Sequence, residues 1–396
     1  MNFQFEKNNN PSEINNISLK EISKDKNLLF KKYYDTISYE KKKIDDLSNV
    51  EDWDKMKKIG NPYELIYTTY NKKKKNDSIS LYSPISRSYF KLWEIFYNYN
   101  IFEQFNKNDK YIYAHLAEGP GGFMEATYNY RSKLLSTQNL GDAFYGITLK
   151  PTNDYVPDWN KIKKVFNNSP NINIEYGNLY NIDDVNNYLK IFKKKKAHFV
   201  TADGGFDYST NFNRQEVNSC KIIYSEVVIA LNVLRKGGSF VCKVFDLFTY
   251  SMNQILYLLY NSFEKVIIYK PETSRPANSE KYIVCINFHD NISQENKNNL
   301  IENIKIWNDI KDEENTAVLE NIKIDSDFLH KISEYNLKYI EYQMHYLKNT
   351  IKISETKMEK HEYNSLINNQ VSCAINWCKK YNVKINENSI YYKKNV

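Results

Sequence analysis

Four charged residues lie at positions where their side chains could take part in catalysis: Lys91, Asp203, Lys243 and Glu280. Lys243 lies at the end of an apolar run, and burying an unpaired lysine is costly. Asp203 follows another apolar run and precedes two glycines, which leave room for a substrate. Each residue alone has an ordinary alternative: a helix cap for Asp203, a structural ion pair for Lys243, and surface positions for Lys91 and Glu280. Together they predict a Lys-Asp-Lys-Glu active site.

A glycine-rich segment lies between the first lysine and the first acid of this set. It consists of Glu118, Gly119, Pro120, Gly121, Gly122 and Phe123. An apolar run precedes it and helix-like sequence follows, which is the order that a nucleotide-like cofactor site requires. The pattern differs from GxGxxG, and its bare backbone suits a methionine-adenosine cofactor better than a pyrophosphate. A plain tight turn is the alternative.

The elements that must position these residues follow from hydrophobic periodicity. Helical patterns start near Phe90 and Phe123, cover 227–234 with a stop at Gly237-Gly238, and include 255–260. Strand patterns alternate with them, and a mostly parallel sheet in an α/β fold is the expected result. The predicted strands are 111–116, 144–149, 172–176, 198–202, 239–244, 266–269 and 282–286. Asp203 is then at the carboxyl end of its strand, where open α/β sheets bind ligands.

Three regions are expected along the chain. Residues 1–50 form a polar, Asn/Lys-rich arm, in which the run Lys41–Lys43 predicts a solvated face. Residues 51–290 hold the α/β domain. After about 290 the strand pattern stops, Asp325 can cap a helix, and apolar residues recur at helical spacing. Residues 291–396 are therefore predicted to be a helical extension.

Composition sets broad limits on function. The 396 residues carry a formal charge of +7, which is compatible with an anionic partner. The 34 tyrosines could stack on bases, although an AT-rich genome is the favoured reason for their number.

Five cysteines argue against a disulfide framework, and Cys373 and Cys378 suit a helix better than a zinc site, so no metal is predicted. With no signal core or membrane-length apolar run, we expect an intracellular protein with no membrane partner.

Several segments resemble a known family. Ser86–Ile95 is similar to the first-lysine segment of the FtsJ/RrmJ-type RNA ribose 2'-O-methyltransferases. One branch, the cap-specific mRNA (nucleoside-2'-O-)-methyltransferase 1 type, is closer still to Phe245–Thr249, Leu256–Tyr260 and Lys270–Tyr282. Asn61–Glu64 resembles the segment of that branch before the first lysine. The resemblance extends over roughly residues 50 to 390. Ser274–Glu280 is its most specific part.

The resemblance implies a Rossmann-like fold with a seven-stranded sheet and helices on both faces. It implies methyl transfer from S-adenosylmethionine to the ribose 2'-hydroxyl of the first transcribed nucleotide of capped mRNA. The tetrad would be catalytic, and the glycine segment, Asn178 and Asp203 would bind the cofactor. Asn178 replaces a family acid but can still form hydrogen bonds. Other capping or transcription proteins would be partners, in the nucleus of a cell or, for a virus, in host cytoplasm or the virion.

Cap and RNA contacts are implied for Lys57, Asn213, Gln215, Arg275 and Asn278. Lys57 replaces an arginine of the family and so lacks its bidentate fork. Ile44 occupies the place of the family's cap-stacking aromatic residue.

Two roles for the tetrad stay open. Lys243 could act as the base, but a neutral lysine near pH 7 costs roughly 4 to 5 kcal/mol. Lys91 would lower the pKa of Lys243, whereas Asp203 and Glu280 would raise it. The tetrad could instead position the hydroxyl and stabilise developing alkoxide charge.

Three other functions compete with cap methylation. They are an rRNA or tRNA ribose 2'-O-methyltransferase, a non-catalytic RNA-binding subunit of a capping complex, and a dinucleotide-dependent oxidoreductase. The long extensions count against the first and the intact tetrad against the second. The missing GxGxxG counts against the third.

Overall fold

The computed structural model describes residues 1–6, 17–45, 50–70, 77–135, 141–152, 156–166, 171–205, 212–310, 315–355 and 358–393. The strands of this part of the chain are β1 (Asn2–Gln4), β2 (Leu19–Ser23), β3 (Ile112–Leu116), β4 (Ala143–Thr148), β5 (Ile172–Tyr176), β6 (Ala197–Ala202), β7 (Leu234–Val244), β8 (Phe263–Tyr269), β9 (Lys281–Phe288) and β10 (Asn315–Leu319).

The helices of the same part are α1 (Lys24–Asn27), α2 (Lys31–Asp45), α3 (Val50–Ile59), α4 (Ser88–Tyr99), α5 (Gly122–Leu135), α6 (Asn160–Val165), α7 (Ile182–Ile191), α8 (Gln215–Val233), α9 (Tyr250–Ser262), α10 (Gln294–Asp309), α11 (Ser326–Glu355), α12 (Lys360–Lys380) and α13 (Ile390–Lys393). Short 3-10 turns cover Glu64–Ile66 and Phe212–Arg214. None of the described helices is both long and apolar enough to cross a membrane.

One sheet of eight strands forms the centre of the fold, in the order β1-β8-β9-β7-β6-β3-β4-β5. The strands from β7 to β5 are parallel to their neighbours, whereas β9, β8 and β1 add antiparallel pairs. The seven predicted strands and the α/β class are confirmed. The strand order reverses between β3 and β6, and open α/β sheets bind ligands at the carboxyl ends of the strands at such a reversal.

Apart from the exposed edge strand β5, the parallel strands are mostly buried, as their apolar sequences require. Every residue of β6 is buried, and α8 packs along the sheet with almost all of its residues inside the core. This rigid centre fixes the ends of β3, β6 and β7, from which the predicted site residues extend.

The expected end of the helix before β7 is wrong. α8 ends at Val233, and Leu234 already pairs with Ala197 in the sheet. Gly237 and Gly238 therefore lie inside β7. Gly237 has a backbone φ of +81°, which residues with a side chain rarely adopt. The glycine pair therefore bends the strand and does not end the helix.

The two ends of the described chain contain strands that the sequence pattern did not predict. β1 pairs antiparallel with β8 and adds an eighth strand to the sheet. The carboxyl-terminal region is helical, as predicted, and Asp325 accepts a hydrogen bond from the Phe328 amide at the start of α11. It nevertheless includes β10, which pairs with β2. The domain boundaries at 50/51 and 290/291 stay predictions.

The expected solvated face at Lys41–Lys43 is wrong for Lys41. Its side chain is 8% exposed, and its Nζ lies 3.2 Å from Asp246 Oδ2. Ile37 precedes it by one helical turn and packs with Trp53 against α11, so Lys41 lies on the buried face of α2. Ile44 also packs against this apolar cluster, which makes it a poor cap-stacking platform.

Glu94 joins three parts of the fold. This buried carboxylate, one turn after Lys91 on α4, accepts hydrogen bonds from Tyr269 and Trp377 at 2.7 and 3.0 Å. It also accepts the amides of Glu272 and Thr273, each at 2.8 Å, and the Thr273 hydroxyl at 2.6 Å. Burial raises the pKa of Glu94, and the hydrogen bonds from these donors lower it by a smaller amount. The first helix of the site, the segment before Glu280 and α12 are thereby held together.

Replacing Glu94 by alanine should therefore destabilise the whole fold. Five donors would lose their acceptor, at a cost of at least about 3 kcal/mol in the free energy of unfolding. Urea denaturation followed by circular dichroism measures this loss. Glu103→Ala, which removes an exposed carboxylate just after the same helix, is the matched control. Equal stability of the two variants would contradict this role of Glu94.

Candidate active site

The strand register brings the four predicted residues together. Lys243 on β7 pairs with Tyr282 on β9, and Val244 pairs with Lys281, so Glu280 emerges next to the end of β7. Ala202 on β6 pairs with Cys242 in parallel, so Asp203 emerges beside Lys243. α4 supplies Lys91 from across the sheet edge.

The tetrad forms two ion pairs. Lys91 Nζ lies 2.6 Å from Glu280 Oε1, and Lys243 Nζ lies 3.1 Å from Asp203 Oδ1. Lys243 also donates to the Asp203 carbonyl oxygen at 2.7 Å. The four side chains keep between 13% and 18% of their surface exposed, so a substrate atom can reach them.

Tyr282 links the two pairs. Its hydroxyl lies 3.3 Å from Asp203 Oδ1 and 3.3 Å from Glu280 Oε1, and it can donate to one of these carboxylates at a time. Its ring packs against Phe123 of the glycine segment, with centroids 5.7 Å apart. Tyr282 therefore contacts the tetrad and the predicted cofactor loop together.

The charges of the tetrad shift the pKa values of two of its members, Lys243 and Glu280. Burial alone would lower the pKa of Lys243, but the carboxylates of Asp203 and Glu280 outweigh it and raise that pKa. Burial would raise the pKa of Glu280, but Lys91, Lys243 and Lys270 lower it well below its usual range. Lys243 is therefore an ammonium donor in this structure, which favours positioning and charge stabilisation over a neutral base.

Glu226 on α8 supports the turn that carries Asp203. Its Oε1 accepts the Gly204 amide at 2.9 Å, and burial raises the pKa of Glu226 to about 8. A side chain at Gly205 would lie 3.0 Å from Lys243 Nζ, so a glycine here keeps open the approach to that ammonium.

The glycine segment forms a tight loop after β3. Gly121 has φ +109° and its amide donates to the Glu118 carbonyl at 2.7 Å. Glu118 Oε1 accepts the Phe123 amide at the start of α5, at 2.6 Å, and the Gly119 amide donates to Thr148 Oγ1 on β4 at 3.2 Å. The loop is thus fixed by its own backbone and by the neighbouring strand.

Glu118 supplies a test of whether a cofactor fits here. Among the described residues, its buried Oε2 has no hydrogen-bond partner, although a buried carboxylate oxygen normally needs one. Burial and the nearby charge of Asp203 raise the pKa of Glu118. A ligand with an ammonium or hydroxyl donor would satisfy this atom, and S-adenosylmethionine carries both. The glycine loop and Glu118 therefore fit this cofactor.

Asn178 lies in the exposed loop after β5. Its Oδ1 accepts the Tyr180 amide at 3.0 Å, and its own amide donates to Asp184 Oδ2 at 2.9 Å. Its carboxamide oxygen is thus engaged in a local turn, and its role toward the cofactor stays a prediction.

The residues predicted to contact cap and RNA are placed in different ways. Gln215 Oε1 accepts from Ser279 Oγ at 2.5 Å, next to Glu280. The Asn278 carbonyl accepts from Lys270 Nζ at 2.9 Å and from the Tyr339 hydroxyl at 3.0 Å. Both residues therefore lie beside the tetrad.

The remaining three residues of this prediction are Arg275, Lys57 and Asn213. The Arg275 guanidinium forms a bidentate ion pair with Glu64, at 2.9 and 3.1 Å. The pKa of Glu64 is about 2, because the charges of Arg87 and Arg275 outweigh its burial. Arg275 therefore has a structural partner. Lys57 lies on α3 and Asn213 in the 3-10 turn before α8, and their roles stay predictions.

Five supporting residues were missed in the sequence: Glu64, Glu94, Glu226, Lys270 and Tyr282. Lys270 is buried and donates to the Glu280 carbonyl at 2.6 Å, so it holds the backbone of that catalytic candidate. Glu94, Glu226 and Lys270 each adjoin or interrupt an apolar run. The signal that singled out Lys243 could therefore have found them too.

These features define an α/β methyltransferase: a parallel sheet with a glycine loop after β3 and charged side chains at the strand reversal. Comparison with known families agrees, because residues 84–288 match the FtsJ-like methyltransferase family. The chain belongs to this family. The prediction of a methyltransferase and of its cofactor, S-adenosylmethionine, is thereby confirmed, whereas the RNA substrate stays a prediction.

Curated relatives include the cap-specific mRNA (nucleoside-2'-O-)-methyltransferase 1 of Drosophila melanogaster, which is 39% identical over 187 residues, or 45% of this chain and 22% of that protein. The Homo sapiens protein of the same name is 37% identical over 186 residues, 44% and 21% of the two chains. The chain thus matches about a fifth of the length of these relatives.

A solved structure described as a ribosomal RNA methyltransferase of Plasmodium falciparum is 22% identical, with a TM-score of 0.38. The match covers 51% of this chain and 97% of that one.

Gly121→Ala should weaken cofactor binding. Its φ of +109° strains any side chain, and the added Cβ would lie 2.7 Å from Ile162 Cβ, so the loop must move. Isothermal titration calorimetry with S-adenosylmethionine should show at least about tenfold weaker binding. Gly237→Ala, also at positive φ but with no atom nearer than 3.7 Å, is the control. Unchanged affinity in Gly121→Ala would contradict the loop's role.

Tyr282→Phe should slow methyl transfer while preserving the fold. The ring against Phe123 remains, but the carboxylates lose the hydroxyl between them, and a hydrogen bond to a charged group contributes about 1.5–3 kcal/mol. We expect kcat to fall about tenfold or more, with little change in KM for the cofactor.

Tyr113→Phe is the matched control for this variant, because Tyr113 is a buried sheet tyrosine whose hydroxyl donates to Asp142. Equal loss of kcat in both variants would assign Tyr282 a general structural role only.

Proposed function

We propose that this chain methylates the ribose 2'-hydroxyl of the first transcribed nucleotide of capped mRNA. The observation that carries the proposal is the convergence of two Lys-carboxylate pairs, Lys91–Glu280 and Lys243–Asp203, beside the glycine loop. The names of the curated relatives support an mRNA substrate. The segment Ser274–Glu280, which ends at the tetrad, supports the cap-specific branch.

The glycine loop and Glu118 would hold S-adenosylmethionine, which would supply a methyl group on a sulfonium whose sulfur can keep the electron pair of the C–S bond. The ribose 2'-oxygen forms the new C–O bond, and its proton leaves to water. The protein must therefore hold this oxygen in line with the methyl group and stabilise the negative charge that grows on it.

Lys243 is suited to stabilise that charge. Its ammonium lies between the Asp203 carboxylate and carbonyl, at 3.1 and 2.7 Å, and these acceptors fix its direction. Lys91, paired with Glu280, offers a second cation nearby. The Asp203 and Glu280 carboxylates raise the pKa of Lys243, and the Tyr282 hydroxyl lies within hydrogen-bond distance of both carboxylates. We infer that the tetrad acts by positioning and charge stabilisation.

Recognition of the cap is proposed for Asn213, Gln215, Asn278, Lys57 and Arg275. Gln215 and Asn278 are the best supported, since Gln215 accepts a hydrogen bond from Ser279 and Asn278 lies within the segment that ends in Glu280. A capped mRNA substrate implies work where transcripts are capped, which is the nucleus of a cell or, for a virus, host cytoplasm or the virion. Proteins of the capping or transcription machinery would be its partners there.

Methyl transfer to defined RNAs tests the proposal. The enzyme should transfer labelled methyl groups from S-adenosylmethionine to cap-0 RNA, and nuclease mapping should place the label on the first transcribed ribose. An uncapped RNA of the same sequence is the control, which also represents rRNA-like and tRNA-like acceptors. Labelling of the uncapped RNA alone would favour a ribose methyltransferase of another RNA class. No labelling of either RNA would favour a non-catalytic role.

Variants of Lys243 test its part in the reaction. Lys243→Ala should reduce methyl transfer at least about a thousandfold while leaving cofactor affinity unchanged, because a fixed donor to the developing oxyanion is lost. Lys243→Arg keeps the positive charge and should retain more activity than Lys243→Ala. Near-normal turnover in Lys243→Ala would overturn the assignment. An arginine variant as inactive as the alanine variant would point to a neutral lysine base.

A further inference from the structure

A basic surface lies at the edge of the sheet opposite the tetrad. Three adjacent strands begin there: β3, β6 and β7. Ala197 at the start of β6 pairs with Leu234 at the start of β7. His198 Nδ1 accepts the Ile112 amide of β3 at 3.1 Å. The segments just before or at these strand starts are therefore next to one another in space.

These three segments carry mostly positive charge. Between residues 103 and 110, 193 and 196, and 235 and 236 the acidic side chains are Glu103 and Asp109. The basic ones, which we call the basic edge, are Lys107, Lys110, Lys193, Lys194, Lys195, Lys196, Arg235 and Lys236. All of these except Lys195, which is half-buried, are exposed. Charges this close repel one another, so a partner that neutralises them would gain free energy.

Aromatic rings lie among these cations. The Arg235 guanidinium lies over the ring of Phe105 at 5.2 Å, and Lys195 lies over Tyr145 at 4.2 Å. A cleft beside the lysines is lined by Phe102, Phe105, Tyr111, Tyr130 and Lys107, among others. Phe105 and Tyr130 keep part of their surface exposed, so planar groups entering this cleft would meet aromatic walls.

We propose that the basic edge and its aromatic cleft bind the single-stranded part of the RNA downstream of the methylated nucleotide. Cations that follow a backbone, combined with rings on which bases stack, are the two components of sequence-independent single-strand binding. An acidic peptide would use the cations but not the cleft. The proposal rests on the proposed RNA substrate. β6 has six residues, so the two edges of the sheet lie roughly 20 Å apart, which several nucleotides can span.

Direct RNA binding tests this surface without requiring methyl transfer. The charge-reversed variant carries Lys193→Glu, Lys194→Glu and Lys236→Glu. Fluorescence anisotropy with a labelled, uncapped single-stranded RNA should show affinity at least about tenfold weaker than for the unmodified chain. The slope of log affinity against log salt should fall by about 2, since each lost phosphate contact removes roughly 0.7.

A matched variant controls for net charge. Lys20→Glu, Lys305→Glu and Lys323→Glu change the charge equally at exposed positions on other elements, and RNA affinity should then change little. Equal affinity of the two triple variants would overturn the proposal. A polyglutamate peptide that binds the unmodified chain but not the basic-edge variant, with RNA binding unaffected, would assign the surface to an acidic protein instead.

Methyl transfer to a short capped RNA, which ends before the basic edge, separates this proposal from the proposed function. The basic-edge variant should methylate that RNA normally and lose efficiency only on a longer capped RNA. Failure of the unmodified chain on both RNAs would count against the proposed function, while the anisotropy result would still decide the fate of the basic edge.

Discussion

Compensation of buried charge is the constraint on which this structure depends. A lysine or carboxylate taken out of water needs an opposite charge or several hydrogen bonds, since an isolated buried ion is very costly. The chain meets this need around the tetrad with ion pairs of Glu64 with Arg87 and Arg275 and of Asp246 with Lys41 and Lys281, and with five neutral donors to Glu94. Most of these contacts join elements that are distant in sequence, so compensating the buried charges also brings those segments together around the site.

The same constraint determines how much of the site the sequence revealed. A lysine at the end of an apolar strand and an acid before two glycines are conspicuous because a purely structural role seldom calls for charge at such positions, and the strand register placed them together. Glu280 was less conspicuous, since its surroundings are polar in sequence, and the family resemblance strengthened its assignment. Tyr282, by contrast, looks like any strand tyrosine. Its position between two carboxylates depends on the pairing of β7 with β9, which no local pattern contains.

The fold was predictable where hydrophobic runs alternate and less so at its margins. The seven predicted strands stand out by their hydrophobic patterns and by the helical patterns between them. β1 and β10 are short, and partners from distant parts of the chain determine their conformation. Lys41 shows the same limit in a helix. A run of three lysines indicates a solvated face, but helical geometry turns one of them inward, and Asp246 is what makes that position favourable.

The pairing of the first strands with late ones has a consequence for how the chain folds. β1 meets β8 and β2 meets β10, so both pairs close loops that contain most of the chain. Such contacts form slowly, because the entropy of closing a long loop is lost before the contact stabilises anything. During synthesis on a ribosome, β2 is made long before β10, so β2 lacks its partner strand until β10 has been made. The outer edge of β8 stays uncovered until β1 docks, and an open strand edge is a site for pairing with other molecules. These early segments would thus be among the last to find their places, and the interval before they do is when this protein is most exposed to aggregation.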